Sequence, residues 1–113
     1  MKLKPTYTYD AVITRVVDGD TVDATVDLGF KIFRKIRIRL AGIDAPEGKR
    51  TPAAEHLRFV ATACKGICVV RTQKPDKYGR CLATVEVNGI DMSKRLIARG
   101  MAVPYHGGKR KKR

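Results

Sequence analysis

The chain has no tryptophan, two histidines and three cysteines, and its 11 Asp+Glu are outnumbered by 24 Lys+Arg. Cys64, Cys68 and Cys81 are an odd set without the paired spacing of a metal site, and His56 and His106 do not complete one. They read as small, reduced, buried hydrophobes. No apolar run is long enough to cross a bilayer, and no strongly amphipathic basic helix is visible, which excludes a membrane partner. The N-terminal MKLKPTYTYD has positive charge but no apolar stretch behind it, so no signal peptide is visible and a cytoplasmic location is expected. With no repeat, linker, coiled coil or large apolar surface stretch, the expectation is a monomer of one domain, since 113 residues are too few for two cores.

Positive charge is abundant: +13 formally, including the terminal run Lys109, Arg110, Lys111, Lys112 and Arg113. The body stays basic without that run. A polyanion is the natural partner, because cationic side chains displace the counterions of a phosphate backbone. Residues 1–106 are expected to form the folded domain, and 107–113 a disordered basic tail acting as a modest, salt-dependent anchor.

Hydrophobic periodicity predicts the elements. Tyr9 to Val17 is β-branched and aromatic enough for a strand. Val22, Ala24 and Val26 alternate with Asp23, Thr25 and Asp27, a strand with one wet face, and Gly29 marks a turn. Within 32–43, Ile36, Ile38 and Leu40 oppose Arg37 and Arg39. Thr51-Pro52 is an N-cap followed by proline in the first helical turn, Leu57, Val60, Ala61 and Cys64 form a stripe, and Gly66 sits at a C-cap. Ile67 to Thr72 and Cys81 to Val87 are two more strands. Asn88-Gly89 is a turn, and Asp91 to Arg99 a short helix stopped by Gly100. The fold class is α+β, mainly β. Five strands with a helix between the third and fourth, plus a short C-terminal helix, suggest a five-stranded OB-fold barrel, though period two alone does not separate a barrel from an open sheet.

The few acids are unevenly placed. Asp18 and Asp20 flank a glycine in "VVDGDTV", and Asp44 and Glu47 follow the third strand in "IRLAGIDAPE". If these clusters meet, something positive must offset their repulsion, and a hard divalent cation suits carboxylate and carbonyl oxygens. Taken alone, Asp-Gly-Asp reads as a plain turn, Arg39 as a solvated strand arginine and Glu47 as a loop acid. Together they supply what phosphodiester cleavage requires: charge neutralisation at phosphoryl oxygens and a base to direct water. "DKYGR" adds Lys77, Tyr78 and Arg80, an ammonium, a phenol and a bidentate guanidinium for one phosphate region. The rival is a non-catalytic nucleic-acid-binding module, which has no use for the acids.

These three stretches, in this order and with a helix between the second and third, resemble the staphylococcal (micrococcal) nuclease family over about residues 9 to 105. The resemblance implies an OB-fold, Ca²⁺-dependent phosphodiesterase acting on DNA and RNA, single- or double-stranded, with little sequence specificity, leaving 3′-phosphate and 5′-hydroxyl ends. It implies Asp20, Asp44 and the carbonyl of Ala45 as metal ligands, and Arg39 and Arg80 as the clamp on the scissile phosphate. Glu47 matches the acid that activates water. Lys77 and Tyr78 match residues that hold a terminal phosphate, and Tyr105 an aromatic contact to base or ribose. Asp18 is expected to be structural and Thr21 to approach the metal's water shell. Known members continue into a further long helix where this chain reads "AVPYHGGKRKKR".

Overall fold

Strand-forming sequence dominates the chain, and the computed structural model describes residues 7–72 and 81–105 of it. Lys77, Tyr78, Arg80 and the 107–113 tail lie outside the described residues. Strands β1 (Thr8–Asp18), β2 (Thr21–Asp27) and β3 (Phe33–Leu40) form an antiparallel meander. A two-residue strand β4 (Ile43–Asp44) leads to helix α1 (Pro52–Ala63), followed by β5 (Ile67–Thr72) and β6 (Cys81–Val87). Then come β7 (Ile90–Asp91), helix α2 (Met92–Ala98) and β8 (Val103–Pro104).

The sheet runs β3-β2-β1-β5-β6-β7, and β3 also pairs with β6 in parallel, through Ile38 to Leu40 against Cys81 to Ala83. That pairing decides between the two sheet forms left open by period two. The five strands close into the expected barrel, and β7 extends β6. Closure removes the exposed edges that an open sheet would present.

The barrel interior follows the predicted alternation: Val22, Ala24 and Val26 of β2 and Ile38 and Leu40 of β3 are buried, with Val70 and Val85 opposite. β1 is irregular at two points, between Ile13 and Arg15 and between Val16 and Asp18. Such bulges bend a strand sharply enough to follow a barrel wall. At the first of them the Ile13 N–H donates to the Gly66 carbonyl at 2.8 Å, which anchors the end of α1.

Helix α1 begins where expected: Thr51 Oγ1 accepts the Ala54 N–H at 3.2 Å and Pro52 fills the first turn. It ends in a Schellman turn, with the Gly66 N–H on the Ala61 carbonyl at 2.7 Å. Left-handed backbone starts one residue before the expected glycine, at Lys65 (φ 57°). A Cβ on Gly66 would lie 2.6 Å from the Ile13 carbonyl oxygen, so that site needs glycine for close approach as well as for φ. The buried stripe differs from expectation. Leu57 is buried, but Ala53 and Ala54 are its buried companions, while Val60, Ala61 and Cys64 are half-buried. The first turn of α1, the part nearest the β1–β2 turn, is what the core covers.

Helix α2 is capped by Asp91, whose carboxylate accepts the N–H groups of Ser93 and Lys94. The three cysteines are free thiols. Cys68 is buried, and burial pushes its pKa up to about 11, leaving it inert at neutral pH; Cys64 and Cys81 are half-buried.

Two expected outcomes follow. A Cβ on Gly19 would sit 2.7 Å from Ala53 Cβ and 2.9 Å from Ala45 Cβ, neither of which is a flexible tip. Gly19→Ala is therefore expected to cost about 1–3 kcal/mol by overpacking, read as a lower Tm in a thermal melt; an unchanged Tm contradicts this close contact. His56 accepts from Arg95 Nε at 3.2 Å, and burial, with Arg99 and Arg95 nearby, lowers its pKa below the ordinary 6.5. The folded state thus favours neutral His56, a contribution complete above pH 6.5 and lost as pH falls below it. Tm should fall from about pH 7 to about pH 5, and His56→Gln should flatten that slope.

Candidate active site

Asp18 ends β1 and Thr21 opens β2, so Gly19 and Asp20 alone span the first turn. Asp18 Oδ1 accepts the Asp20 N–H at 3.2 Å, closing the turn on itself, as anticipated for a structural Asp18. The Asp20 carbonyl accepts the Leu40 N–H at 2.8 Å and so ties the turn to the end of β3. The Asp20 side chain points inward: Oδ2 accepts the Ala45 N–H at 3.0 Å, and Oδ1 accepts the Thr21 hydroxyl at 3.1 Å.

Asp44 reaches the same place from the far end of β3. Gly42 (φ 81°) turns the chain after Leu40 and Ala41, and β4 then pairs with β8, Asp44 opposite Val103. The Tyr105 N–H donates to the Gly42 carbonyl at 2.9 Å, and the buried Ser93 hydroxyl donates to the Ala41 carbonyl at 2.7 Å. The turn that delivers Asp44 is thus fastened from both α2 and β8. Asp20 and Asp44 are 7% and 4% exposed.

Arg39 joins them. Its Nη2 lies 3.5 Å from Asp20 Oδ2 and 3.8 Å from Asp44 Oδ1, while Nη1 donates to the Leu40 carbonyl at 2.7 Å. Strand alternation puts Arg39 on the polar face, but the reading of a solvated strand arginine is wrong. Its side chain is 12% exposed, because the β1–β2 turn and β4 fold over it.

The electrostatics are tense. Burial above all, then the hydrogen bond with Asp18, raises the Asp20 pKa over the ordinary 3.8; the Ala45 N–H and the Arg39 charge pull it back without cancelling the rise. A pocket that penalises its own carboxylate is one that a cation would relieve. Among the described residues no group of three or more His, Cys, Asp and Glu side chains is arranged to hold a metal ion. Asp20 and Asp44 are both oxygen donors, which suits a hard, oxygen-loving ion better than zinc.

The other predicted residues border this pocket in the chain. Glu47 lies in the exposed bend three positions after Asp44, and half-buried Tyr105 follows β8. Lys77, Tyr78 and Arg80 lie outside the described residues. Thr21 is buried at the pocket, its hydroxyl donating to Asp20. Gly19 and Ser93 were missed. A glycine between two acids signals a turn, but no local pattern signals its contact with Ala45 and Ala53, or the bond from Ser93 to a turn half the chain away. A separate open cleft of about 560 Å³ lies between β1 and α1, with Arg15, Lys49, Arg58 and Lys65 on its walls; neither carboxylate nor Arg39 lines it.

The family model described as staphylococcal nuclease homologue matches residues 37–113. Among similar proteins, "Protein ParB" of Escherichia coli is 34% identical over 109 residues, covering 84% of this chain and 58% of that protein. "Endonuclease YhcR" of Bacillus subtilis is 30% identical over 113 residues, covering 86% of this chain and 9% of that protein. "Micrococcal nuclease" of Shigella flexneri is 35% identical over 74 residues, covering 65% of this chain and 40% of that protein. The chain spans less than two thirds of the length of each of these relatives. With the family model covering well over half of its residues, on a closed barrel with Asp20, Asp44 and Arg39 in one buried pocket, the chain belongs to the staphylococcal nuclease homologue family.

Proposed function

We propose that the chain hydrolyses phosphodiester bonds of DNA and RNA, single- or double-stranded, with a divalent cation, calcium before others, held by Asp20, Asp44 and the Ala45 carbonyl. The observation that carries this reading is the convergence of two buried carboxylates on one guanidinium. Family membership and relatives named as nucleases support it. When bound, the cation supplies positive charge to the phosphoryl oxygens and orders water.

The protein groups divide the rest of the work. Arg39, anchored through Nη1 to the Leu40 carbonyl, turns its remaining N–H groups to a phosphate and stabilises the charge that grows there. Arg80 is proposed as the second guanidinium; Cys81, next in the chain, pairs with Ile38, which precedes Arg39. Glu47 takes a proton from the attacking water. The new bond joins that water oxygen to phosphorus, and the bond from phosphorus to the 5′ oxygen breaks. The departing oxygen takes a proton from solvent water and Glu47 returns its own to solvent, leaving 3′-phosphate and 5′-hydroxyl ends. Lys77 and Tyr78 are proposed to hold a neighbouring phosphate, and Tyr105 to meet a base or ribose.

The decisive assay incubates plasmid and RNA with purified protein in calcium or in excess EGTA. Cleavage is expected with calcium alone. Arg39→Ala should lower kcat about 10²–10³-fold, and Glu47→Ser about 10²–10⁴-fold. Tight binding without cleavage under any divalent ion would instead identify a binding module.

Asp20 provides a test independent of turnover. Its folded-state pKa is raised above 3.8, so the folded protein holds that proton more tightly than the unfolded chain. The cost of ionising it is absent below 3.8, grows as pH rises through the folded-state value, and is complete above that. Calcium at neutral pH is expected to raise the Tm of the native protein, and to do so far less at about pH 4 or in Asp20→Asn. Equal calcium shifts in both proteins at pH 7 would remove Asp20 from the ligand set.

A further inference from the structure

The β2–β3 hairpin ends in an apolar tip that nothing in the fold covers. Phe30 is 98% exposed, Phe33 62%, Ile32 56% and Leu28 41%. The Ile32 N–H closes the turn on the Gly29 carbonyl at 2.9 Å, with Phe30 at φ 53° and Lys31 at φ 61°. These are the two central positions of a type I′ turn, where Asn-Gly is favoured and a bulky aromatic is disfavoured. A phenylalanine here strains the backbone and sets its ring in water, two costs that folding alone does not explain.

The tip is also basic. Lys31, Arg34 and Lys35 are exposed around the rings. The nearby acids are engaged: Asp27 Oδ1 accepts the Gly29 N–H at 2.8 Å, and Asp23 pairs with Arg37 at 2.8 Å. Alternation along β3 puts Phe33, Lys35, Arg37 and Arg39 on one face, opposite the inward Ile36, Ile38 and Leu40. That face is a continuous row from the aromatic tip to the guanidinium of the pocket, roughly 20 Å long at ~3.3 Å per residue. At ~3.4 Å per stacked nucleotide the row matches on the order of six nucleotides.

We propose that the β2–β3 hairpin is a docking arm for single-stranded nucleic acid: Phe30 and Phe33 stack on unpaired bases, and Lys31 at the tip and Lys35 on the row hold the phosphates that lead to the pocket. This rests on the phosphodiesterase reading for what Arg39 grips. Single strands are the occupant because rings stack only on bases that are free of a duplex. A lipid surface would use the apolar tip but not the cationic row leading inward from it.

The test compares the native protein with Phe30→Ser/Phe33→Ser, and with Phe30→Ser alone in case the pair fails to fold. Binding of a labelled trinucleotide and a labelled dodecanucleotide is measured by anisotropy in EDTA, which suppresses cleavage. The dodecanucleotide Kd is expected to rise about tenfold or more in the variants, while the trinucleotide Kd stays unchanged. No loss, or an equal loss on both lengths, overturns the proposal. So does a length-dependent loss that appears in Arg58→Ala/Lys65→Ala of the other basic cleft and not in the tip variants. Tip-dependent sedimentation with phosphatidylserine vesicles, with oligonucleotide affinity unchanged, overturns it in favour of a membrane. If the native protein cleaves nothing under any divalent ion yet loses dodecanucleotide binding with the tip, the hydrolase reading falls and the docking arm stands.

Discussion

Two carboxylates buried around one guanidinium set the terms for the rest of this molecule. At an effective dielectric near 20, unit charges about 4–7 Å apart interact by roughly 2–4 kcal/mol. Removing those charges from water opposes that attraction and can exceed it, while a surface ion pair contributes about 0–1 kcal/mol net. Exposed pairs such as Arg37 with Asp23 and Arg71 with Glu86 cross-link neighbouring strands, but they are too weak to hold an acidic pocket together. The main chain does that: the Ala45 N–H on Asp20, the Asp20 carbonyl on Leu40, and the β4–β8 pairing behind Asp44.

Such fastening works only where three pieces of backbone come close. Gly19, Ala45 and Ala53 meet at the pocket's floor, with no side chain larger than a methyl among them. Small residues there let the β1–β2 turn, the segment after β4 and the first turn of α1 share one space. Those alanines serve a contact that brings an acid from each end of the β2–β3 meander to the same place, so the fold's packing and its chemistry depend on the same few atoms.

Much of this could be read from the chain. β2 from Val22 to Asp27 and β3 from Ile36 to Leu40 keep the apolar side of their period-two pattern, because that side faces the barrel interior. The cap of α1 was visible in Thr51-Pro52, where the threonine side chain satisfies an otherwise orphaned N–H group, whereas Asp91, expected as the first residue of the second helix, is instead its cap. The two-residue strands β4, β7 and β8 were not, since two residues carry no periodicity. Alternation names the face on which Arg39 lies but is silent about what covers that face. The α1 stripe shifted toward Ala53 and Ala54 because what the helix buries is set by its neighbour, the β1–β2 turn. Barrel closure is a pairing between distant segments and leaves no local trace. The three ordered motifs pointed to the pocket; that its acids would be almost wholly buried followed from tertiary packing alone.

The parallel pairing of β3 with β6 has a mechanical consequence. Among the described residues it joins three residue pairs, whereas β2 with β3 joins seven, β1 with β2 six, β1 with β5 five and β5 with β6 four. It is the shortest seam of the hoop, and parallel pairing is slightly the weaker kind per residue. Arg39 is the middle residue of this seam. The guanidinium held near Asp20 and Asp44 thus belongs to a residue of the very seam that closes the hoop.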